Sequence, residues 1–339
     1  MTASASNRAA VLHAAGDLRI EPREVPEPGP REVLVEVAAV GVCGSDVHYY
    51  EHGRIGSFVV EAPMILGHES AGRVVAAGAE VTRHAVGDRV TLEPGVPCGE
   101  CRECRAGRYN LCKDVRFFAT PPIDGAFANF VAIHEDFAFA LPDGVSDEAG
   151  ALIEPLAVGV WACQKAGVRA GDRVLVTGAG PIGLLVQQCA LAFGATEVTV
   201  ADVNPARLAV AERTGATRTV RSDQEALDLE VDAFVECSGH PAALKAGIAA
   251  VRPAGTVVVV GMGPEEDSVL PLSLIQNREL WLTGTFRYAN VYPTAIALVA
   301  AGKVDPEAII TGHFGLDEAE AALRAGREDP ASVKAMVMP

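Results

Sequence analysis

From residue 173 onward the apolar positions change period at regular intervals. Residues 173 to 177 form a short apolar run of strand type. From Ile182, apolar residues recur at Leu185, Val186, Cys189 and Phe193, which is one face of a 3.6-residue helix. Gly194 stops that helix and a second strand follows at 197–201. Further strands are expected at 217–220, 232–236, 256–260 and 280–283. Asn204-Pro205 reads as an N-cap followed by proline at the first helical position, with Gly215 just beyond that helix. Pro241 opens another helix, and Pro253 with Gly255 turns into the next strand. Six strands alternating with helices predict one doubly wound parallel sheet.

Residues 8 to 150 read differently, as mostly β with no strand–helix–strand rhythm. Arg31 to Val42 alternates and is rich in valine, a strand ending at Gly41. Residues 71–77 and 89–92 are further short strands, the second entered through a Gly87-Asp88 turn. Pro94 to Pro122 is an excursion rich in Cys, Arg and Gly. After Tyr288 come two helices, near 293–301 and 318–325, with Gly302 and Gly326 as stops and Asp317 with Glu320 resembling a capping box. The α/β reading therefore has a mostly-β domain, residues 1–153, and a doubly wound domain, residues 154–288; the helices of 289–339 exceed the six-strand unit and are expected to return to the first domain. No internal repeat or low-complexity segment interrupts it.

Composition agrees and excludes some partners. A chain of 339 residues expects about two domains. The net charge of −16 argues against nucleic acid and anionic membranes. No run approaches the roughly 18 apolar residues of a membrane helix. Residues Met1 to Asn7 lack a signal peptide's apolar core and read as a frayed tail, so a cytoplasmic protein is expected. Eight cysteines in that setting are reduced thiols, metal ligands or small core residues. Cys163, Cys189 and Cys237 have no partner pattern and read as core; His13, His52, His84, His134, His240 and His313 are isolated and carry no assigned role.

The first chemical motif is Gly178-Ala179-Gly180-Pro181-Ile182-Gly183. The first glycine permits a tight turn, the second lets a pyrophosphate approach the backbone, and the third lets helix and strand pack closely. Free N–H groups at the helix start then hold the phosphates. The motif follows a strand, opens a helix and has Asp202 at the end of the next strand, which is the context that makes it specific. Asp202 suits a ribose diol and repels a 2′-phosphate, so NAD is favoured over NADP; Arg207, close by, opposes that preference.

Two metal sets stand out. Cys98, Cys101, Cys104 and Cys112 have spacings x2, x2, x7, which suits a closed tetrahedral zinc that staples a loop and performs no chemistry. Free loop thiols and an iron–sulfur cluster are the other readings, the latter more often with x3 and a following proline. The second set is scattered: Cys43, His68, Glu69 and Glu154. Singly, each has a plainer reading, as a small buried residue, a loop pair or a carboxylate at a helix start. Beside a dinucleotide motif they also make an open zinc site reasonable.

Val40-Gly-Val-Cys-Gly-Ser-Asp-Val-His-Tyr-Tyr50, Gly67-His-Glu69, the four-cysteine loop, Leu152-Ile-Glu-Pro-Leu156, Glu236-Cys-Ser-Gly239 and Phe286-Arg-Tyr-Ala-Asn290 together resemble the zinc-dependent medium-chain dehydrogenases, over nearly the whole chain. Within them the pattern is similar to sorbitol (polyol) dehydrogenases. Many animal members lack the four-cysteine zinc; this chain keeps all four ligands, which is more like bacterial or fungal members. The resemblance implies a GroES-like catalytic domain built from both chain ends, a six-stranded Rossmann domain and a cleft between them. It implies a catalytic zinc on Cys43, His68 and Glu69, with Glu154 reached directly or through water. It also implies a proton relay through Ser45 and His48, and a polyol pocket at Tyr50, Phe118, Arg287 and Tyr288. NAD would be bordered by Ile182, Val260-Gly261-Met262 and Thr285-Phe286. The implied reaction is oxidation of a secondary alcohol to a ketone, zinc easing deprotonation and hydride passing to NAD. Plainer readings remain for Ser45 (a helix cap), His48 (a solvated residue), and the 287–288 pair (a packed aromatic beside a surface arginine).

Other readings are a zinc alcohol or threonine dehydrogenase, a non-catalytic NAD sensor on the same fold, and a zinc-ribbon nucleic-acid module, which the charge opposes. Homo-oligomerisation is expected from the resemblance, as a tetramer or else a dimer.

Overall fold

The structure is a computed structural model that describes residues 6–263 and 268–339. Residues 1–5 of the expected frayed tail lie outside the described residues. Its last residue is not frayed. Asn7 opens strand β1, Asn7–Ala14, and its amide bonds both backbone groups of Phe130, at 3.1 and 2.9 Å.

In chain order, β1 pairs antiparallel with β2, Asp17–Arg23. Then follow β3, Glu32–Gly41, helix α1, Gly44–His52, β4, Met64–Ile65, and β5, Glu69–Ala77. Strands β6, Arg89–Leu92, β7, Phe130–His134, and β8, Ala138–Ala140, precede helix α2, Ile153–Ala166. The alternating part contains β9, Arg173–Thr177, α3, Pro181–Ala192, β10, Glu197–Asp202, α4, Pro205–Arg213, and β11, Arg218–Arg221. It continues with β12, Val231–Glu236, α5, Pro241–Ala250, β13, Val251–Val259, β14, Trp281–Gly284, and α6, Tyr292–Ala300. The chain closes with β15, Ile310–Gly315, α7, Ala319–Glu328, and β16, Lys334–Met338.

Two compact units result: residues 1–154 with 310–339, and residues 155–309. The first boundary was expected one residue earlier. The second was expected at 288/289 and falls instead at 309/310. Helix α6 and the chain as far as residue 309 belong with the second unit for a local reason. Tyr292 is fully buried, and Asp305 exchanges two hydrogen bonds with the Gln188 side chain of α3, at 3.1 and 2.8 Å.

The first unit is organised around β3. Strand β5 runs antiparallel along one edge, while β7 and β16 share the other. The full order is β8-β6-β5-β3-β16-β15, with β7 also on β3. Val33, Val35, Val37 and Val40 of β3 are buried in the core of this unit. Residue 41 thus sits where β5 and the last strand of the chain both converge. The 317–320 capping box does not form. Glu318 Oε2 accepts the Gly315 N–H at 2.9 Å instead, Asp317 pairs with Arg8, and Glu320 accepts from Tyr50.

The second unit is the expected parallel sheet, in the order β11-β10-β9-β12-β13-β14. This is the doubly wound order in which strand ends diverge at a switch point between the first and fourth strands. Those are β9 and β12, paired Val176 to Val235. The observed β13 begins at Val251, earlier than the 256–260 expected, and carries Pro253 at an irregular register.

Candidate functional site

The four-cysteine loop closes on itself. Sulfur atoms lie 3.5 Å apart between Cys112 and Cys98, 3.4 Å between Cys101 and Cys104, and 3.9 Å between Cys98 and Cys104. Four thiolates at about 2.3 Å from a tetrahedral ion sit roughly 3.8 Å from one another. The donor set therefore fits zinc, and all four thiols are free of disulfides. Backbone N–H groups of Cys98, Cys101 and Cys104 point at sulfurs at 3.4–3.5 Å. Such donors favour thiolates. The N–H groups of Glu100 and Cys101 are the leading reasons the Cys98 thiol is lowered to about 7.

The scattered set is also brought together. Ligand atoms of Cys43, His68 and Glu69 lie within 4.8 Å of one another. Cys43 is the residue that caps α1, two residues after β3; His68 precedes β5 and Glu69 opens it. Antiparallel pairing of Gly41 with Glu69 is what joins them. Glu154 is buried in the same unit but is not among the three clustered ligands.

Sequence reasoning missed Asp46. It is completely buried, its Oδ2 accepts the Cys43 N–H at 3.0 Å and its Oδ1 the Gly67 N–H at 2.9 Å. The same Oδ1 lies 3.6 Å from His68 Nδ1. One carboxylate thus ties the two ligand-bearing segments together. The signal was present, as an acid three residues after an N-cap. Burial disfavours a charged His68, yet the charges of Asp46 and Cys43 outweigh it and push that imidazole well above its ordinary value. The donor set attracts a cation.

Lys334 was missed too. Its ammonium is buried and donates to both oxygens of Glu69, at 2.9 and 2.7 Å, and to the Val42 carbonyl at 2.9 Å. Burial opposes its charge, but Glu69 and Cys43 hold it above the ordinary lysine value.

The remaining expected residues divide. On α1, Ser45 is half-buried and His48 is exposed, its ring 4.6 Å from that of His52. Tyr50 is buried and donates to Glu320 Oε1 at 2.5 Å, an interaction that leads in pushing its phenol up to about 12. That hydroxyl keeps only acceptor capacity for a ligand. Phe118 is half-buried against the first core. In the second unit the Arg287 guanidinium lies 4.9 Å over the Phe286 ring, with a left-handed backbone at Arg287 (φ 53°), and Tyr288 is buried against Tyr292.

The dinucleotide motif has the geometry its glycines require. Gly178 has φ +89°, and a Cβ there would meet the Ser238 N at 2.8 Å. A Cβ on Gly183 would come 1.8 Å from the Gly178 carbonyl oxygen, whereas at Gly180 nothing lies within 4 Å. Helix α3 begins with Pro181 after an extended Gly180, so its first N–H groups are unencumbered at that open position. Asp202 closes β10, its two oxygens accepting the Ala179 N–H at 2.6 Å and the Asn204 N–H at 2.7 Å. Arg207 sits one turn into α4. Beside them, buried Glu236 accepts from Ser238 N–H at 2.7 Å and Gly239 N–H at 3.0 Å. Gly261 then packs so tightly that a Cβ would meet the Gly239 N at 2.2 Å, which fixes the Val260–Met262 turn; Thr285 N–H bonds Val259 O at 2.9 Å.

Fold and donor sets define a class: a metal-dependent dehydrogenase with separate metal and dinucleotide units. Residues 29–143 match the alcohol dehydrogenase GroES-like domain, and residues 181–301 match the zinc-binding dehydrogenase family. The chain belongs to the zinc-dependent medium-chain alcohol dehydrogenases. It is 43% identical over 342 residues to a sorbitol dehydrogenase of Bacillus subtilis (strain 168), covering 98% of this chain and 97% of that one. It is 46% identical over 330 residues to a sorbitol dehydrogenase of Gallus gallus, covering 94% and 93%. Among solved structures, the L-idonate 5-dehydrogenase of Escherichia coli superposes with a TM-score of 0.93 at 29% identity, covering 99% of each chain. Solved chains of this fold include one bound to NADP and one complexed with NADH, so the fold itself accepts both dinucleotides.

Proposed function

We propose that this protein oxidises a secondary hydroxyl of a polyol, of the sorbitol or xylitol kind, to the ketose, with NAD as hydride acceptor. The observation that carries the reading is the Cys43–His68–Glu69 cluster in a chain whose sequence follows sorbitol dehydrogenases from end to end.

Cys43, His68 and Glu69 would hold the catalytic zinc, with Glu154 as the further carboxylate, and the four cysteines the structural one. Zinc, when bound, supplies Lewis acidity that lowers the pKa of a hydroxyl, and NAD supplies the hydride acceptor. Asp46 orients the ligand segments. Ser45 and His48, on the first turns of α1, take up the released proton and pass it to solvent. Arg287 donates to hydroxyls of the substrate; Tyr50, Phe118 and Tyr288 shape its surroundings. Gly178, Gly180, Pro181, Ile182 and Gly183 receive the pyrophosphate, Asp202 the ribose diol, and 260–262 with 285–286 the nicotinamide half.

NAD is the preferred cofactor in this reading because Asp202 repels a 2′-phosphate. Homo-oligomerisation, as a tetramer or dimer, belongs to it as well. Its support is the edge strand β14, where Trp281 is 73% and Leu282 40% exposed. Light scattering on the purified protein tests it. A cytoplasmic location fits thiolate ligands, which persist in a reducing compartment. Among the described residues no helix is long and apolar enough to cross a membrane.

NAD and NADP reduction across sorbitol, xylitol, ribitol, arabinitol, threonine and simple secondary alcohols tests the reading. Zinc-dependent turnover confined to polyols supports it. Turnover only with threonine or simple alcohols overturns the substrate class, and kcat/KM higher with NADP overturns the role given to Asp202.

A further inference from the structure

Glu69 has two claimants. One is the ligand cluster, whose atoms lie within 4.8 Å of its carboxylate. The other is Lys334, which contacts both of its oxygens. An ammonium has three donors, and all three are used here: Glu69 Oε1 at 2.9 Å, Glu69 Oε2 at 2.7 Å and the Val42 carbonyl at 2.9 Å. Lys334 and Glu69 are each 1% exposed. Strand β16 delivers the lysine, its register pinned by Met336 against Gly41 and by the Val42 N–H on Ala335 O at 3.0 Å. The carboxylate lies flat on β3, since a Cβ at Gly41 would stand 2.1 Å from Glu69 Oε2. Gly41, Glu69 and Lys334 form one packed unit.

Charge gives that unit a purpose. The Cys43 thiolate, Glu69 and the buried Asp46 set three negative charges about one divalent-ion site, one too many for neutrality, and the Lys334 ammonium contacts Glu69 directly. We infer that Lys334 is a positioning residue of the catalytic metal site. It holds Glu69 in one orientation against Gly41 and cancels the surplus negative charge, and so limits how tightly the site grips its cation. Each carboxylate oxygen keeps a lone pair for another partner, so the lysine restrains Glu69 without blocking it. A buried carboxylate stripped of its cation is strongly unfavourable, and a metal ion bound beside it would relieve that cost.

The inference rests on reading Cys43, His68 and Glu69 as the metal site, and its test separates the two. Zinc is measured by chelator competition in the wild type, Lys334→Met, Lys334→Arg and the double variant Lys334→Met/Glu69→Gln, with the four-cysteine zinc as internal control. The expected result is a catalytic zinc held at least about tenfold more tightly in Lys334→Met, with the structural zinc unchanged. Zinc loading should also raise Tm more in Lys334→Met than in the wild type. Lys334→Arg should return both measures toward wild type. If zinc-free Lys334→Met does not fold, the double variant, which removes both charges, should fold and bind catalytic zinc more weakly than wild type. Catalytic zinc held equally or more loosely in Lys334→Met, or Arg no better than Met, overturns the role of Lys334. Wild-type protein that binds only the structural zinc overturns the site itself.

Discussion

Tyr109, inside the four-cysteine loop, donates its hydroxyl to Oε1 of buried Glu93 at 2.7 Å. Glu93 follows β6 directly, and its backbone N–H bonds Phe137 O at 2.8 Å. The four-cysteine loop therefore supplies a hydrogen bond to a buried carboxylate of the first unit. Burial, reinforced by the charge of Glu154, raises Glu93 from 4.5 to about 7, and the Tyr109 hydroxyl counters that rise.

A raised acid holds its proton more tightly in the native state than in the unfolded chain. Glu93 thus makes stability fall as pH climbs from about 4.5 to about 7. Tyr109→Phe should extend that window upward and cost about 1–3 kcal/mol near neutral pH. Urea unfolding of both proteins across the range checks this; equal stability at every pH would remove Tyr109 from the account.

Asp46→Asn should weaken the catalytic zinc by about 10–100-fold, the usual cost of losing a group that orients metal ligands. Its carboxylate holds the Cys43 and Gly67 N–H groups and faces His68. Chelator competition provides the number. The structural zinc should not move.

Two of the motif glycines should fail in different ways. Gly183→Ala puts a Cβ 1.8 Å from a carbonyl oxygen, so it should lower Tm and abolish NADH binding together. Gly180→Ala meets no protein atom within 4 Å. It should leave Tm nearly unchanged and weaken NADH by about tenfold or more, because its space is kept for the pyrophosphate. Thermal melts and NADH fluorescence titrations separate the two.

Glu135 should govern part of the acid response. It accepts the Thr82 and Arg83 N–H groups at 2.8 and 3.0 Å and pairs with Arg31 at 3.0 Å, and these bonds hold its carboxyl down to about 2. A lowered acid stabilises the fold fully above its unfolded value, near 4.5, and progressively less as pH falls toward about 2. Glu135→Gln should therefore be clearly less stable than wild type at neutral pH, with the gap narrowing below about 4.5. A gap independent of pH would contradict this.

Much that depends on short spacing was legible in the sequence, although Asp46 beside the Cys43 cap was missed and the 317–320 capping box was misplaced. The strand–Gly-x-Gly-x-x-Gly–helix unit, the order of six strands and the four-cysteine loop are written within a few tens of residues. Their signals are backbone periodicity and ligand spacing, which need no distant partner. Cys43, His68 and Glu69 were ambiguous from spacing and became specific through resemblance, because the pairing of β3 with β5 is what unites them. Placement of α6 went wrong for the same reason: nothing near Tyr292 announces the bond between Asp305 and Gln188. Tertiary structure alone decided three pairings, Lys334 with Glu69 across 265 residues, Tyr50 with Glu320 across 270, and Tyr109 with Glu93. A buried charge or hydroxyl takes whichever partner the fold sets beside it, and strand order, not local sequence, sets that neighbour.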